Sequence, residues 1–246
     1  MTKVLLITGG SRGIGAATAR MAITEGYDVA VNYVTDKNAA AALVARLGKR
    51  AFAVQGDVSK PDDIQRMFDE TENAFGPVTH LVNSAGITGK SSRLDRADVK
   101  TIVDTIAINL TGTILACQEA VRRMSTQHGG KGGVIINLSS AAATIGSPGE
   151  YTWYAAAKGG VDSFTIGLAK EVAMEAIRVA SVTPGMTDTE IHERSTGDQA
   201  RVERIRPTIP MQRIGKAEEI AHAIMFMLSD KASYITGTTL RVAGGR

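Results

Sequence analysis

The stretch that decides the fold is Val4-Leu5-Leu6-Ile7-Thr8-Gly9-Gly10-Ser11-Arg12-Gly13-Ile14-Gly15, followed at once by Ala16-Ala17-Thr18-Ala19. An apolar run of strand length enters a glycine turn, and the turn opens an alanine-rich helix. The glycines at positions 9, 13 and 15 allow a tight turn and let a pyrophosphate approach the backbone at a helix N-terminus. A tight connection without a ligand has the same local pattern, but the position directly after the first strand favours a dinucleotide-binding turn.

The rest of the chain alternates short apolar runs with helical patterns. The apolar runs predict seven strands, at 4–8, 29–33, 51–55, 81–83, 134–138, 179–183 and 238–242. The helical patterns cover 13–25, 36–47, 61–75, 104–127, 154–175 and 217–229. Continuous apolar strands that alternate with helices are typical of a parallel sheet covered on both faces. We therefore predict an α/β protein, a single-domain Rossmann fold over residues 1–246 with a doubly wound parallel sheet of about seven strands and helices on both faces.

Composition excludes several classes of protein. One cysteine excludes a disulfide framework, and the lone thiol with four histidines excludes a structural zinc site. The 28 basic and 25 acidic residues are interspersed, which argues against a nucleic-acid-binding patch. No unbroken apolar run reaches the ~18 to 20 residues of a membrane span, and the apolar stretch at 4–7 is too short for a signal peptide. We therefore expect a cytoplasmic protein with no metal, nucleic-acid or membrane partner.

The end of the second strand bears on the choice of dinucleotide. An NAD site usually has a carboxylate there, ~20 residues after the glycines, to hold the ribose 2′-hydroxyl. This strand ends at Asn32-Tyr33 without an acid, and Asp36 is better placed to cap the next helix. Arg12 lies inside the glycine turn, either as a solvated surface charge or as a partner for a 2′-phosphate. The pattern favours NADP(H), with NAD(H) as the alternative.

A phenol and an ammonium group are predicted to share one helix face. Tyr154 and Lys158 are four residues apart, and a nearby Lys cation lowers the pKa of a phenol from its usual ~10. Ser139 and Ser140 directly follow the strand at 134–138, and strand carboxyl ends face the ligand crevice in this architecture. Either hydroxyl is positioned to share a carbonyl oxygen with Tyr154. The three groups together indicate proton transfer to a carbonyl.

With these motifs the chain resembles, over its whole length, the classical branch of the short-chain dehydrogenase/reductase family. The matching segments are Thr8 to Gly15, Gly56-Asp57-Val58, Asn83-Ser84-Ala85-Gly86, Ile108-Asn109, Ser140, Tyr154 to Lys158 and Pro184-Gly185. The sequence departs from the family pattern at Ser84, where an Asn is usual, at Ala180, also usually Asn, and at Thr187, commonly Ile. The 14-residue spacing from Ser140 to Tyr154 exceeds the common twelve or thirteen, which indicates a small insertion and leaves Ser139 as the alternative hydroxyl.

The resemblance implies a role for each matched residue. Ser140 would polarise the substrate carbonyl, Tyr154 would act as general acid and base, and Lys158 would lower its pKa and bind the nicotinamide ribose. Asn109 would steady a water that relays protons to Lys158, although taken alone it is a polar residue on the solvent side of a helix. Asp57, alone a turn or cap residue, would accept from the adenine amino group. The expected cofactor contacts are Gly9, Ser11, Arg12, Gly13, Ile14, Gly15, Asn32, Tyr33, Asp57, Val58, Asn83, Ala85, Gly86, Tyr154, Lys158, Pro184, Gly185, Thr187 and Thr189.

The substrate is the least determined part of the prediction. The charged segment 186–206 is typical of a substrate lid, in which His192 contacts either substrate or solvent, and Trp153 either stacks on a ligand or packs the helix start. A ketone, aldehyde, sugar or polyol fits the rim, with 3-oxoacyl-carrier-protein reductase and NAD-dependent sugar or polyol dehydrogenase as alternatives. A non-catalytic dinucleotide sensor is the alternative from another class. Apolar residues on several faces of 218–228, together with the resemblance, predict a homo-oligomer, with a tetramer favoured over a dimer.

Overall fold

The computed structural model describes residues 3–189 and 201–246, which form helical layers on both faces of one parallel sheet. The described strands are β1 (Lys3–Thr8), β2 (Tyr27–Tyr33), β3 (Ala51–Gln55), β4 (His80–Asn83), β5 (Gly133–Leu138), β6 (Ile177–Pro184), β7 (Thr187–Asp188), β8 (Gly215–Lys216) and β9 (Thr239–Val242). Seven of them pair in the order β3-β2-β1-β4-β5-β6-β9, and every pairing is parallel. This confirms the predicted fold class. The short β7 and β8 form a separate two-stranded sheet.

Each of the six predicted helical patterns overlaps a helix of the structure, but the ends differ. The described helices are α1 (Gly13–Thr24), α2 (Lys37–Leu47), α3 (Pro61–Phe75), α4 (Val99–Ile106), α5 (Gly112–Met124), α6 (Ala142–Ile145), α7 (Thr152–Val172), α8 (Arg201–Ile205) and α9 (Ala217–Leu228). A π-helical turn, Ala107–Thr111, joins α4 to α5, so the helix expected over 104–127 begins earlier and is interrupted. The prediction missed α6, α8, β7 and β8, because such short elements carry no periodic pattern.

Two apolar layers explain why the strands read as continuous apolar runs. Leu5 and Ile7 of β1 face a core formed with α1 and α9. Val4 and Leu6 face the opposite core, formed with α3, α5 and α7. Each of these four side chains is essentially inaccessible to solvent, and full burial of such a side chain stabilises a protein by about 1.5–3 kcal/mol. The sheet is therefore held from both faces, and its carboxyl edge remains available for a site.

Together, α4, the π-helical turn and α5 form one helix, Val99–Met124, which bears on the expectation that the chain has no segment of membrane-span character. It is 26 residues long and by length and composition apolar enough to cross a membrane, although polar residues interrupt its apolar run. Ala116, Cys117 and Ala120 are fully buried against the sheet, so the helix is one layer of the fold. Its other side exposes Val99 and Val103, with 72% and 56% of their surface accessible.

Candidate active site

The predicted site residues meet at the carboxyl edge of the sheet. The register pairs Thr8 with Asn83 and Asn83 with Asn137, so β1, β4 and β5 end at the same level. The backbone continues this edge beyond β5, because the Ala141 amide donates to the Pro184 carbonyl at 2.9 Å. Crevices at such strand ends are where parallel α/β folds bind their ligands.

The glycine turn is shaped for an anion. Gly9 has φ of +61°, and a Cβ there would lie 2.7 Å from the Ala85 backbone, so only glycine fits. Its amide donates to the Asn32 side chain at 3.0 Å, which fixes the turn. Helix α1 begins at Gly13 with Arg12 as an extended N-cap that makes no side-chain cap, and its first turn contains no acid. These N-terminal amides fit the pyrophosphate of a dinucleotide.

Three of the predicted cofactor residues use their polar atoms within the protein. Asn32 is fully buried, and its amide donates to the Gly56 carbonyl at 2.9 Å. The Asn83 amide donates to Asn137 Oδ1 at 2.9 Å, which ties β4 to β5. Asp57 Oδ1 accepts from the Ser59 amide and hydroxyl, as expected of a turn residue. The side chains of Asn32 and Asn83 therefore brace the loops that face the crevice rather than lining it.

The remaining predicted cofactor residues surround the crevice. Val58 is buried beside Gly112 at the end of β3, Tyr33 is half-buried at the end of β2, and Ala85 and Gly86 follow β4. Beyond β6, the Thr187 hydroxyl donates to the Gly185 carbonyl, and the Thr189 methyl lies 3.2 Å from a Cβ built on Gly13. The two loops thus approach each other across the crevice. His192 lies outside the described residues.

A basic cleft opens on the outer side of the glycine turn. Its volume is about 560 Å³, and its lining residues are Ser11, Arg12, Gly13, Ala16, Arg20, Ala39, Asp188, Lys216, Ala217 and Glu218. The Arg12 guanidinium forms an ion pair with Asp36. Asp36 also caps α2, where its Oδ1 accepts from the Ala39 amide at 2.8 Å. The expected cap is therefore confirmed, and Asp36 has in addition a direct electrostatic link to Arg12 that the sequence did not reveal.

The two candidate serines have different surroundings. Ser139 is buried, and its hydroxyl donates to the Lys158 carbonyl at 3.3 Å. Ser140 is half-buried and accepts from the Ala142 amide at 3.1 Å, and its side chain is close enough to the Tyr154 phenol to influence the pKa of that phenol. Burial raises the pKa of Tyr154, and the Ser140 side chain partly opposes that rise. Ser140 is therefore the hydroxyl that stands beside the phenol.

Lys158 lies below the phenol in a buried position. Its Nζ donates to the Leu138 carbonyl at 2.7 Å and lies 5.8 Å from the centre of the Tyr154 ring. Burial lowers the pKa of Lys158 to about 8, partly opposed by the charge of Asp162. Burial is thus the main influence on the pKa values of both Tyr154 and Lys158, and it favours the neutral form of each.

Asn109 is fully buried in the π-helical turn, so the expectation of a solvent-facing side chain is wrong. Its amide donates to the carbonyls of Ile87 and Thr105 at 2.6 and 2.8 Å. Its Oδ1 accepts no hydrogen bond from any residue in the described ranges. A Cβ built on Gly86 would lie 2.6 Å from this oxygen and 3.7 Å from Lys158 Nζ. The unsatisfied oxygen and the Lys158 ammonium therefore both lie next to Gly86, and the oxygen fits a water or a ligand group there.

Sequence reasoning missed two buried polar residues, Asn137 and Arg201, and left two alternatives open for Trp153. Asn137 donates to the Thr165 hydroxyl at 3.0 Å, and its position inside an apolar strand was the available signal. Trp153 is buried and its indole donates to the Thr88 carbonyl at 3.0 Å, which assigns it to packing. Arg201, from the end of the segment expected to form a lid, is buried and binds Glu150. Because Arg201 is a charged residue in a polar segment, the sequence pattern does not indicate that it is buried.

Comparison with known proteins gives full-length matches. The family model described as "Enoyl-(Acyl carrier protein) reductase" matches residues 9–246. The "Uncharacterized oxidoreductase YgfF" of Escherichia coli is 46% identical over 99% of both chains. The "3-oxoacyl-[acyl-carrier-protein] reductase FabG" of Staphylococcus aureus is 39% identical over 100% of this chain and 98% of the relative. The crystal structure of a 3-ketoacyl-(acyl-carrier-protein) reductase from Brucella melitensis complexed with NADH superposes with a TM-score of 0.92 at 32% identity, covering 99% of this chain and 98% of that one.

Proposed function

The chain belongs to the short-chain dehydrogenase/reductase family, and from that premise we propose that it is an NADP(H)-dependent enzyme that interconverts a ketone or aldehyde and the corresponding alcohol. Family membership makes it an oxidoreductase that acts on CH–OH groups with a nicotinamide dinucleotide. The observation that carries the finer proposal is the meeting of Ser140, Tyr154 and Lys158 beside a helix N-terminus without a side-chain cap. We treat residues 1–246 as one domain with a substrate lid at 186–206, of which 186–189 and 201–206 are described.

The bound dinucleotide supplies or accepts the hydride. Ser140 donates a hydrogen bond to the substrate carbonyl oxygen, and Tyr154 transfers its phenolic proton to the same oxygen. Burial keeps the phenol protonated near neutral pH, which suits the reductive direction. The Lys158 ammonium stabilises the phenolate that remains. A water between Asn109 Oδ1 and Lys158 Nζ would return the proton from solvent, which gives the unsatisfied oxygen a function.

The preference for NADP(H) rests on the basic cleft at the glycine turn. Arg12, Arg20 and Lys216 line it together with Asp188 and Glu218, and Arg20 pairs with Glu218 at 3.2 Å. A 2′-phosphate on the adenine ribose, if it points to this side, would meet the Arg12 guanidinium. Asp36 already binds that guanidinium, so the phosphate and the carboxylate compete for one partner. The absence of an acid at Asn32-Tyr33 in the sequence supports the same preference.

Two substitutions test the dinucleotide preference. Arg12→Ala should raise the KM for NADPH about 10- to 100-fold, the equivalent of one charge-assisted hydrogen bond, and change the KM for NADH less than about threefold. Asp36→Asn keeps an N-cap side chain but removes the competing charge, so it should lower the KM for NADPH. Equal changes for both dinucleotides would refute the role of Arg12.

A 3-oxoacyl thioester is the second candidate substrate. The relatives named as 3-oxoacyl-[acyl-carrier-protein] reductases align over nearly their whole length at 39% identity, which supports this class for the present chain. A carbonyl two carbons from a thioester meets the same hydroxyl and phenol as a simple ketone. A simple ketone and a 3-oxoacyl thioester would undergo the same carbonyl reduction. They differ in the part of the substrate that the lid segment would contact.

We further propose that the enzyme is a homo-oligomer in the cytoplasm, where nicotinamide dinucleotides are available to it. The exposed apolar side chains of α4 support assembly, because Val99 and Val103 are largely accessible in the single chain. A tetramer is the favoured form and a dimer the alternative. Light scattering of the purified protein measures the mass directly, and a mass near 25.9 kDa would show a monomer and refute the proposal.

The proposed function is tested by following NADPH absorbance over a panel of ketones, aldehydes, sugars and a 3-oxoacyl thioester. Turnover by the wild type that Tyr154→Phe abolishes, with dinucleotide binding retained, is the expected result. Turnover that persists in Tyr154→Phe would remove the phenol from the proton-transfer step. Tight dinucleotide binding without turnover of any panel member would favour the sensor alternative.

A further inference from the structure

A buried arginine ties the described end of the lid segment to the loop that carries the candidate general acid. Arg201 opens α8, and its side chain is 5% exposed. The guanidinium is held by both carboxylate oxygens of Glu150, with Nε to Oε1 at 2.9 Å and Nη2 to Oε2 at 2.7 Å. Two parallel N–H to oxygen contacts of this kind fix the orientation of both groups as well as their distance.

Tyr151 completes the cluster. Its hydroxyl accepts from Arg201 and interacts with Glu150, so charge-assisted contacts connect the three side chains. Burial is the largest influence on the Tyr151 hydroxyl and raises its pKa to about 12, so it stays protonated and keeps its hydrogen bonds over the working pH range. Arg201 also approaches Met186 Sδ at 3.5 Å, and Met186 follows the Pro184-Gly185 turn. Arg201 therefore bridges the loop before Tyr154 and the loop after β6.

The ring of Tyr151 connects the Arg201 cluster to Tyr154, the candidate general acid. The rings of Tyr151 and Tyr154 pack edge to face, with centroids 5.5 Å apart and an interplanar angle of 88°. The Tyr154 amide also donates to the Tyr151 carbonyl at 3.0 Å. Fixing the Tyr151 hydroxyl therefore fixes the face against which the Tyr154 ring rests.

The loop before α7, which contains Glu150 and Tyr151, has several residues with positive φ. Ser147 has φ of +47° and is flanked by Gly146 and Gly149, both also with positive φ. On the side away from Arg201, the Glu150 carbonyl accepts from the Ser92 amide at 2.8 Å. A segment rich in such conformations needs contacts from outside to hold one geometry, and Arg201 supplies the charged ones.

We propose that Arg201 is a positioning residue for the reaction: through Glu150 and Tyr151 it holds the phenol of Tyr154 in its reactive orientation. This inference rests on the proposed function. It requires that loss of Arg201 lower the rate of the chemical step while dinucleotide binding is kept, because Glu150, Tyr151 and Met186, to which Arg201 bonds, lie outside the glycine turn.

The test compares steady-state constants for the best substrate of the panel. Arg201→Met should lower kcat tenfold or more and change the KM for NADPH less than twofold. Tyr151→Phe, which removes only the hydroxyl, should lower kcat by a smaller factor. The double variant should be no slower than Arg201→Met alone, because both changes break one linkage. Arg201→Lys, which keeps the charge but not the paired donors, should recover part of the rate.

Arg50→Met is the matched control. Arg50 pairs with Asp28 at 2.8 Å, but this pair is exposed and lies at the opposite edge of the sheet, so kcat should be unchanged. A lowered melting temperature with wild-type kcat in Arg201→Met would show a purely structural role and overturn the inference, as would additive losses in the double variant. If Arg201→Met does not fold, unchanged kcat in both Tyr151→Phe and Arg201→Lys overturns it. A wild type without Tyr154-dependent turnover refutes the proposed function, and the positioning role falls with it.

Discussion

Acidification from pH 7 to 4.5 should destabilise this protein through one buried histidine. His80 opens β4, its Nδ1 lies 2.7 Å from the Thr79 hydroxyl, and its ring packs edge to face on Tyr27 at 5.0 Å. Burial lowers the pKa of His80 from 6.5 to about 4, and the cations of Lys3 and Arg178 add to the effect. The unfolded chain therefore binds the proton more readily than the folded chain throughout this range.

The size of the effect follows from the two pKa values. Because the pKa of His80 is lower in the folded chain, its contribution to the free energy of unfolding is complete above pH 6.5. This contribution is lost as the pH falls from 6.5 toward about 4. The whole shift corresponds to about 3 kcal/mol, of which about 2 kcal/mol falls between pH 7 and 4.5. His80→Gln removes the titrating ring, so its free energy of unfolding should fall by about 2 kcal/mol less than that of the wild type over that interval.

Urea denaturation at several pH values and one protein concentration measures this difference, since the proposed assembly would make the stability depend on concentration. His222→Gln is the control, because His222 is exposed on α9 and its loss should leave the wild-type pH dependence intact. Parallel pH dependence in the wild type and His80→Gln would refute the reasoning.

Three further outcomes are expected. The rate of carbonyl reduction should fall as the pH rises through about 8, where Lys158 loses its proton, and an unchanged rate up to pH 10 would show that its ammonium is not required. Gly9→Ala places a Cβ 2.7 Å from the Ala85 backbone, so calorimetric titration should find NADPH binding at least tenfold weaker, and wild-type affinity would contradict the geometry of the turn. Cys117 is fully buried and its pKa is raised to about 12, so a colorimetric thiol reagent should label it only after unfolding, and rapid labelling of the native protein would contradict its burial.

The fold was predictable because its signals are local and repeated. Each strand of the central sheet carries an apolar run, and the glycine turn at Gly9 to Gly15 marks the first crossover. Helix ends were less accurate: the pattern placed a start at 104, whereas Asp98 is extended and α4 begins at Val99. The π-helical turn around Asn109 has no sequence signature, and it is this turn that buries the side chain.

The site was predictable as a set of residues and less so as a set of contacts. Tyr154 and Lys158 share a helix face because of their spacing, which the sequence contains. The pairing of Arg12 with Asp36 spans 24 residues and depends on how β2 leads into α2. The bonds of Arg201 to Glu150 span 51 residues and need the tertiary fold. Such long-range polar contacts follow from packing, which a single sequence does not specify.

Isotope transfer tests the central claim most directly. The wild-type enzyme would be given NADPH deuterated at the transferable position of the nicotinamide, with the best carbonyl substrate, and the alcohol would be examined by mass spectrometry. The proposed function predicts one deuterium on the carbinol carbon, formed by the wild type and not by Tyr154→Phe. An alcohol without deuterium, or labelled alcohol formed equally well by Tyr154→Phe, would contradict it.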